Sequence, residues 1–177
     1  MTPVPEEGSQ APQPEIARCT TAYLGLGANL GDAVGTLSAA VAAIAALPGT
    51  QVLQGSSLYR SAPVDAAGPD YHNAVVAVRT SLGAHDLLTA LQTIETGAGR
   101  ERPYRNAPRT LDLDILLFGN AVLHTPVLTV PHPRLRERAF VLLPLAEIAP
   151  DQVDAAWLAD VQDQRIERLA TTWFEGR

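Results

Sequence analysis

The 177-residue sequence contains no lysine, a single cysteine and only 5% aromatic residues. Without lysine it can hold neither a P-loop nor a protein-kinase site, because each of these motifs requires one. Cys19 has no partner for an internal disulfide, which favours a reducing, cytoplasmic setting, and we assign it no function. The net charge of -6 and the pI near 5.1 argue against a general nucleic-acid binder.

Long apolar runs and a basic leader are missing as well. No run approaches the ~20 residues of a membrane-spanning helix, and the N-terminus lacks the pattern of a signal peptide. Residues 1–19 include four prolines and three glutamates and are predicted to be a disordered tail. Residues 20–177 are predicted to form one domain, since their length and 46% hydrophobic content suffice for one core.

The apolar patterns up to residue 118 predict the order strand, helix, strand, strand, helix, strand. The predicted strands cover residues 20–27, 51–61, 71–80 and the run ending at Phe118, and the helices cover about 34–47 and 84–96. The strand at 71–80 is apolar on both faces, which is typical of a central strand. This order predicts an α+β, ferredoxin-like βαββαβ core with an antiparallel sheet.

The remaining chain predicts additions to this core. Gly119-Asn120 is a hairpin signal followed by short strands, and residues 140–149 form an apolar helix that tolerates Pro144 only near its first turn or at a kink. A helical tail is predicted from Asp154. Its expected anchors are Trp157, Val161, Ile166 and Leu169.

The run PRTLDLDILLF carries two aspartates inside an apolar strand pattern. Side chains alternate along a strand, so Asp112 and Asp114 share one face, roughly 6–7 Å apart. Two such carboxylates need a cation between them, and Mg²⁺ takes oxygen ligands and commonly enters a site with substrate phosphates. By itself an Asp-x-Asp pair more often marks a strand end that faces solvent, and the residues around it are what favour a metal site.

Arginines surround this pair in sequence. Seven of the thirteen lie between Arg100 and Arg138, and guanidinium groups bind phosphate oxygens in a bidentate manner. Two Gly/Pro-rich segments flank the strands that precede and contain this pair: residues 62–69 are predicted to be a mobile surface loop, and residues 97–108 an irregular loop that leads directly into the aspartate strand. These features together predict a phosphate-handling site built from metal and arginine.

Several motifs in this order resemble the 6-hydroxymethyl-7,8-dihydropterin pyrophosphokinase family of the folate pathway. The resemblance spans about residues 22–150 and rests on AYLGLGANLGD, SSLYRSAPV, DYHNAVV, Gln92 with Glu95, PRTLDLDILLFG and VPHPRLRERAFVLLPLAEIAP. It implies transfer of the diphosphate of ATP to the hydroxymethyl group of the pterin, with release of AMP and the use of two Mg²⁺ ions.

The resemblance also implies residue roles. Asp112 and Asp114 would bind the metals and act in catalysis together with Arg100 and Arg109. The nucleotide side would comprise Gln92, Glu95, Arg100, Arg109, Ile115, Thr129, His132 and Arg138. The pterin side would comprise Ser61, Ala62, Val64, Tyr71, Asn73 and Phe140, with the two aromatic rings stacking on the pterin and Asn73 reading its edge.

The chain departs from the family at three positions. Members often have tryptophan and glycine where this sequence has Asn106 and Ala107, and some have an arginine at the position of Val127. The alternatives are a ferredoxin-like module that binds single-stranded RNA, which would need sheet aromatics and a basic face, and a catalytically inactive relative. An acidic single domain without an apolar stripe is expected to be a monomer without nucleic-acid or membrane partners.

Overall fold

The computed structural model describes residues 18–64, 67–99 and 110–174. Its strands are β1 (Thr20–Ala28), β2 (Thr50–Gly55), β3 (Leu58–Ser61), β4 (Tyr71–Thr80), β5 (Asp112–Phe118), β6 (Leu123–His124), β7 (Thr129–Val130) and β8 (Ile166–Ala170). Its α-helices are α1 (Ala33–Ala45), α2 (Ala84–Gly97), α3 (Ala139–Ile148) and α4 (Ala155–Asp160). Of the predicted disordered tail, residues 1–17 lie outside the described part.

The main sheet is antiparallel throughout and has the order β5-β1-β4-β3-β8, with β2 also paired to β4. The predicted α+β fold is therefore confirmed, including the central position of the strand at 71–80. The first and last strands of the described chain belong to this one sheet.

The segment predicted as one strand from 51 to 61 is divided at Ser56-Ser57. The Ser56 hydroxyl accepts the Val75 N–H at 3.0 Å, and the Ser56 N–H donates to the Val75 carbonyl at 2.9 Å. The indole of Trp173 donates to the Ser56 carbonyl at 2.8 Å. The chain thus changes direction between β2 and β3 without leaving these backbone groups unsatisfied. Both strands pair with β4.

The two long helices begin and end close to their predicted positions. Asp32 caps α1, since its carboxylate accepts the Gly35 N–H at 2.9 Å. The chain leaves this helix at Pro48-Gly49, where Gly49 has a φ of +63° that favours glycine. Helix α2 buries Leu87 and Leu91 as expected, and it also buries Glu95.

Side chains of β1, β4 and β5 divide between two layers. On one face, Leu24, Leu26 and Val76 pack under α1 and α2 in a continuous apolar cluster. On the other face a second cluster, which includes Val75 and Leu142, lies under α3 and covers only part of the sheet. The uncovered part is the end of the sheet at which β4 begins, and the cavity described below lies there.

The C-terminal prediction is correct for α4 and wrong beyond it. Val161 is buried, but Ile166 and Leu169 lie in β8, and Leu169 is 38% exposed. Strand β8 pairs with β3 and so occupies the edge that β3 would otherwise present. Pairing with a neighbour 105 positions away in sequence, Ser61 with Ile166, overrides the local helical pattern.

The hairpin also differs from prediction. The hairpin consists of β6 and β7, whose turn lies at Thr125–Leu128, so Gly119-Asn120 leads out of β5 and is not the hairpin turn. Pro144 is the sixth residue of α3, in its second turn. Proline has no N–H, so it cannot donate to the carbonyl four residues earlier. Across the described residues, no helix is long and apolar enough to cross a membrane.

Candidate active site

A cavity of about 530 Å³ lies on the partly covered face of the sheet. This volume falls within the range of small-molecule sites. Strands β1, β4 and β5 form its floor, the segment after β3 forms one wall, and the segment from His132 into α3 forms the other. Its described lining residues are Gly25, Leu26, Gly27, Ser61, Ala62, Val64, Tyr71, Asn73, Ala74, Asp112, Asp114, Leu116, His132, Pro133, Arg134, Arg138, Phe140 and Val141.

One row across the sheet defines the geometry of the cavity floor. Gly27 pairs with Asp112 on one side and with Asn73 on the other. The carboxylate strand and the amide strand are therefore separated by two strand spacings, roughly 10 Å. Gly27 keeps this space open, because a Cβ at that position would lie 3.3 Å from Asn73 Oδ1 and 4.0 Å from Asp112 Cβ.

The aspartate pair lies where the strand pattern predicts. Asp112 and Asp114 both line the cavity, while Leu113 and Ile115 between and beyond them are buried on the opposite face. The buried carboxylate of Glu95 accepts the N–H of Leu113 at 2.8 Å. Helix α2 thereby fixes the peptide between the two aspartates from behind.

His132 is held beside β5 by its backbone N–H, which donates to the Leu116 carbonyl at 2.9 Å. Its Nδ1 accepts the N–H of Arg134 at 3.1 Å, so in the neutral ring the proton is on Nε2. Burial lowers the pKa of His132; Asp114 opposes this shift, whereas Arg138 and Arg134 add to it. The uncharged ring can therefore donate a hydrogen bond from Nε2.

Arg138 is half-buried in the same wall as His132, at the start of α3. Its Nε is buried and has no hydrogen-bond partner among the described residues, and its guanidinium carbon lies 5.4 Å from the centre of the Phe140 ring. Burial, followed by the charge of Arg134, lowers the pKa of Arg138, and the carboxylates of Asp114, Glu137 and Asp112 oppose this. An anionic ligand in the cavity would satisfy this buried donor.

The other end of the cavity combines a fixed amide with two rings. Asn73, which is 4% exposed, donates from Nδ2 to the Ser61 hydroxyl at 2.8 Å, and this orients its amide. Tyr71 on β4 and Phe140 on α3 also line the cavity. A slot with aromatic faces and a few fixed polar groups suits a flat heterocycle.

The donor set at the aspartate end fits Mg²⁺. Among the described residues no group of three or more His, Cys, Asp or Glu side chains could hold a metal ion. An all-protein cage is therefore not formed there by those residues. Two carboxylates on one strand face match a cation that completes its shell with substrate phosphates and water.

Ten of the sequence-predicted residues meet in this cavity. They are Asp112, Asp114, His132, Arg138 and all six residues of the predicted pterin side. Gln92, Glu95, Ile115 and Thr129 are not among its described lining. Arg100 and Arg109 lie outside the described residues, as do the substituted loop positions Asn106 and Ala107. Two positions of the loop at 62–69, residues 65 and 66, are outside them too.

Several residues that line or support the cavity were not predicted from the sequence. Gly25 and Gly27 alternate with Leu24 and Leu26, and this period of two was the available signal that one face of β1 is bare. Arg134 belongs to the arginine cluster but received no role of its own. The position of Glu95 behind β5 had no signal in the sequence.

Comparison with known proteins gives one consistent result. The family model described as 7,8-dihydro-6-hydroxymethylpterin-pyrophosphokinase (HPPK) matches residues 23–150. A 2-amino-4-hydroxy-6-hydroxymethyldihydropteridine pyrophosphokinase of Pseudomonas aeruginosa is 49% identical over 130 residues, which are 73% of this chain and 80% of the relative. The enzyme of the same name from Methylorubrum extorquens is 47% identical over 135 residues, covering 76% and 85%.

Solved structures resemble the chain in fold. A Plasmodium falciparum HPPK-DHPS triple mutant superposes with a TM-score of 0.62 at 16% identity, over 78% of this chain and 42% of that one. The wild-type protein of the same description with pteroate gives 0.60 at 14% identity, over 73% and 41%. The chain thus spans about two fifths of the length of these proteins, and the likeness concerns the fold alone.

Proposed function

The chain belongs to the 7,8-dihydro-6-hydroxymethylpterin-pyrophosphokinase family, and we propose that the cavity beside β5 is where it carries out the family's reaction. It is a diphosphokinase. It transfers the diphosphate of ATP to the hydroxymethyl group of 6-hydroxymethyl-7,8-dihydropterin and releases AMP, a step in folate biosynthesis. The observation that carries our assignment is that a single cavity is lined both by Asp112 and Asp114 and by Asn73.

The triphosphate of ATP binds at the aspartate end. Asp112 and Asp114 would hold two Mg²⁺ ions, which would neutralise phosphate charge and help to orient the transferred group. Glu95 keeps the peptide between the aspartates in place through Leu113. Because both carboxylates project from one strand face, they present oxygen ligands to the same side of the nucleotide.

Cationic and neutral donors complete the phosphate site. Arg138 supplies a guanidinium whose buried Nε lacks a partner among the described residues, and His132 supplies an Nε2–H that adds no charge. Arg100 and Arg109, which precede β5 in sequence, are proposed to bind the phosphates from their loop. We propose that the nucleotide side also includes Gln92, Glu95, Ile115 and Thr129. The side chain of Ile115 is buried, so its contact with the nucleotide would be made by its backbone.

The pterin binds at the other end. Asn73, oriented by Ser61, forms hydrogen bonds with the edge of the pterin ring. Tyr71 and Phe140 stack on the two faces of that ring. The backbone of Ser61, Ala62 and Val64 completes the donor and acceptor pattern along that edge. Gly27 leaves room between this slot and the metals.

Transfer of the diphosphate then depends on how ATP and the pterin are positioned relative to each other. The acceptor oxygen reaches the β-phosphorus of ATP in line with the leaving AMP, across the roughly 10 Å between Asn73 and Asp112. Phosphoryl transfer of this kind needs charge neutralisation more than a general base. The loops at 62–69 and 97–108 are proposed to close over the reactants and exclude water, which would compete as the acceptor.

We further propose that the protein acts as a cytoplasmic monomer of one domain, without a nucleic-acid partner. The absence of lysine and the charge of -6 support the last of these points, the lack of a nucleic-acid partner. The matched family and the confined cavity favour the enzyme over an RNA-binding module, which needs an open, basic sheet face.

Phosphorus NMR of a reaction with ATP, Mg²⁺ and the reduced pterin tests the function. We expect AMP and a pterin diphosphate ester to appear in equal amounts. ADP or free inorganic phosphate as the main product would contradict diphosphate transfer. A reaction without pterin is the control for background hydrolysis.

A further inference from the structure

The side-chain amide of Gln164 spans the backbone on both sides of Arg138. Its Oε1 accepts the N–H of Ala139 at 2.8 Å, and its Nε2 donates to the carbonyl of Glu137 at 2.7 Å. The partners are 25 and 27 positions away in sequence. The residue enclosed by this pair of hydrogen bonds is the one whose guanidinium lines the cavity.

The contact replaces a missing helix cap. Arg138 occupies the N-cap position of α3 in an extended conformation, with φ -124° and ψ 116°, and its side chain makes no capping hydrogen bond. Its carbonyl accepts the N–H groups of Val141 and Leu142, at 3.1 and 3.0 Å. The first N–H of the helix, that of Ala139, would otherwise be one of the unsatisfied donors of a helix end. Gln164 satisfies it from a distant segment.

Gln164 is itself anchored. Its N–H donates to the carbonyl of Val161 at 3.0 Å, and Val161 is 3% exposed. In the same C-terminal segment the Trp157 ring lies 4.1 Å from the guanidinium carbon of Arg136. The amide therefore acts from a fixed support, two residues before β8 begins.

We propose that Gln164 is a positioning residue for Arg138: its amide fixes the two peptide groups that set the direction of the guanidinium toward the phosphates. This rests on the phosphate-binding role of Arg138 proposed above. Gln164 lies beyond residues 23–150 that the family model matches, so the inference comes from this chain's own geometry.

Steady-state kinetics of Gln164→Ala, Arg138→Ala and the double variant test the proposal. Net hydrogen-bond contributions of about 0.5–1.5 kcal/mol correspond to roughly a twofold to thirteenfold rise in KM for ATP in Gln164→Ala. In the Arg138→Ala background the same change is expected to have no further effect, because Gln164 then has no guanidinium to position. Gln164→Glu, which retains the acceptor for Ala139, is expected to lie between wild type and Gln164→Ala.

Gln162→Ala, which removes a neighbouring exposed amide, is the matched control and should leave KM unchanged. Equal rises in KM from Gln164→Ala in both backgrounds, or no rise in the wild type, would overturn the positioning role while leaving the phosphate role of Arg138 intact. If Arg138→Ala itself leaves KM for ATP unchanged, the phosphate role fails and this inference fails with it. Failure to detect AMP as product would instead contradict the proposed function.

Discussion

The two faces of β1 show how one strand serves both the fold and the chemistry. Leu24 and Leu26 point into a cluster under α1 and α2 and are at most 3% exposed. Gly25 and Gly27 alternate with them and face the cavity. One face is filled and the other is kept empty, so substitutions on β1 and its neighbours should separate stability from activity.

Asp112→Ala and Asp114→Ala on β5 should give the largest effect. Loss of either carboxylate would weaken the proposed Mg²⁺ site, and turnover is expected to fall by at least about 10²- to 10³-fold. Neither side chain is part of the apolar clusters, so the midpoint of thermal unfolding should stay close to that of the wild type. Asp163→Ala, an exposed aspartate outside the cavity lining, is the control.

Leu24→Ala should have the opposite effect: it should lower stability and leave turnover nearly unchanged. Removing a fully buried side chain leaves a cavity in the packed face, and we expect the free energy of unfolding to decrease by about 2–5 kcal/mol. Turnover of the folded fraction at low temperature should remain near wild type, since Leu24 does not line the cavity. Denaturant unfolding together with kinetics would measure both quantities, and a large loss of turnover in fully folded protein would break the proposed separation of the faces.

Gly27→Ala tests the empty face with one methyl group. The added Cβ would lie 3.3 Å from Asn73 Oδ1, a contact that requires the amide to shift. We expect KM for the pterin to rise about threefold to tenfold, consistent with mild overpacking, and KM for ATP to change less. Gly97→Ala, where nothing lies within 4 Å of the added atom, is the matched control.

The smallest predicted effect concerns the pH dependence of stability, through the contacts that Glu147 of α3 makes with the sheet. Glu147 on α3 accepts the Ser57 hydroxyl at 2.7 Å, the Ser57 N–H at 2.9 Å and the Tyr59 hydroxyl at 2.8 Å, and it pairs with Arg168 of β8 at 3.3 Å. Burial alone would raise the pKa of Glu147, but these hydrogen bonds and Arg168 together lower it below 4.5.

Because the folded pKa of Glu147 is the lower one, its contribution to stability is present above the unfolded pKa. It is lost as the pH falls through the folded pKa. Unfolding free energies of wild type and Glu147→Gln should therefore differ by about 0.5–1 kcal/mol at neutral pH and converge as the pH falls through the folded pKa of Glu147. A difference that does not decrease at any pH at which the protein remains folded would show that the carboxylate charge has no role in this network.

Much of this arrangement could be predicted from sequence because it follows local periodicity. The central strand at 71–80, the two long helices and the shared face of Asp112 and Asp114 are consequences of patterns within about ten residues. The bare face of β1 was equally readable in the LGLG repeat. These features need no knowledge of distant partners.

The parts that sequence reasoning missed depend on long-range pairing. Strand β8 forms because the edge of β3 is available, although the local pattern there suggested a helix. Glu95 is buried with its carboxylate bound to the Leu113 N–H of β5, and Gln164 caps a helix that begins 25 residues earlier. None of these partners can be identified from a window of neighbouring residues.

Calorimetric titration with a non-hydrolysable ATP analogue, with and without Mg²⁺, tests most directly whether the two aspartates serve the reaction. We expect wild-type protein to bind the analogue tightly only when Mg²⁺ is present. Protein carrying both Asp112→Asn and Asp114→Asn should lose this dependence on the metal while it remains folded and keeps its affinity for the pterin. An unchanged Mg²⁺-dependent affinity in the double variant would contradict the assignment of the metal site.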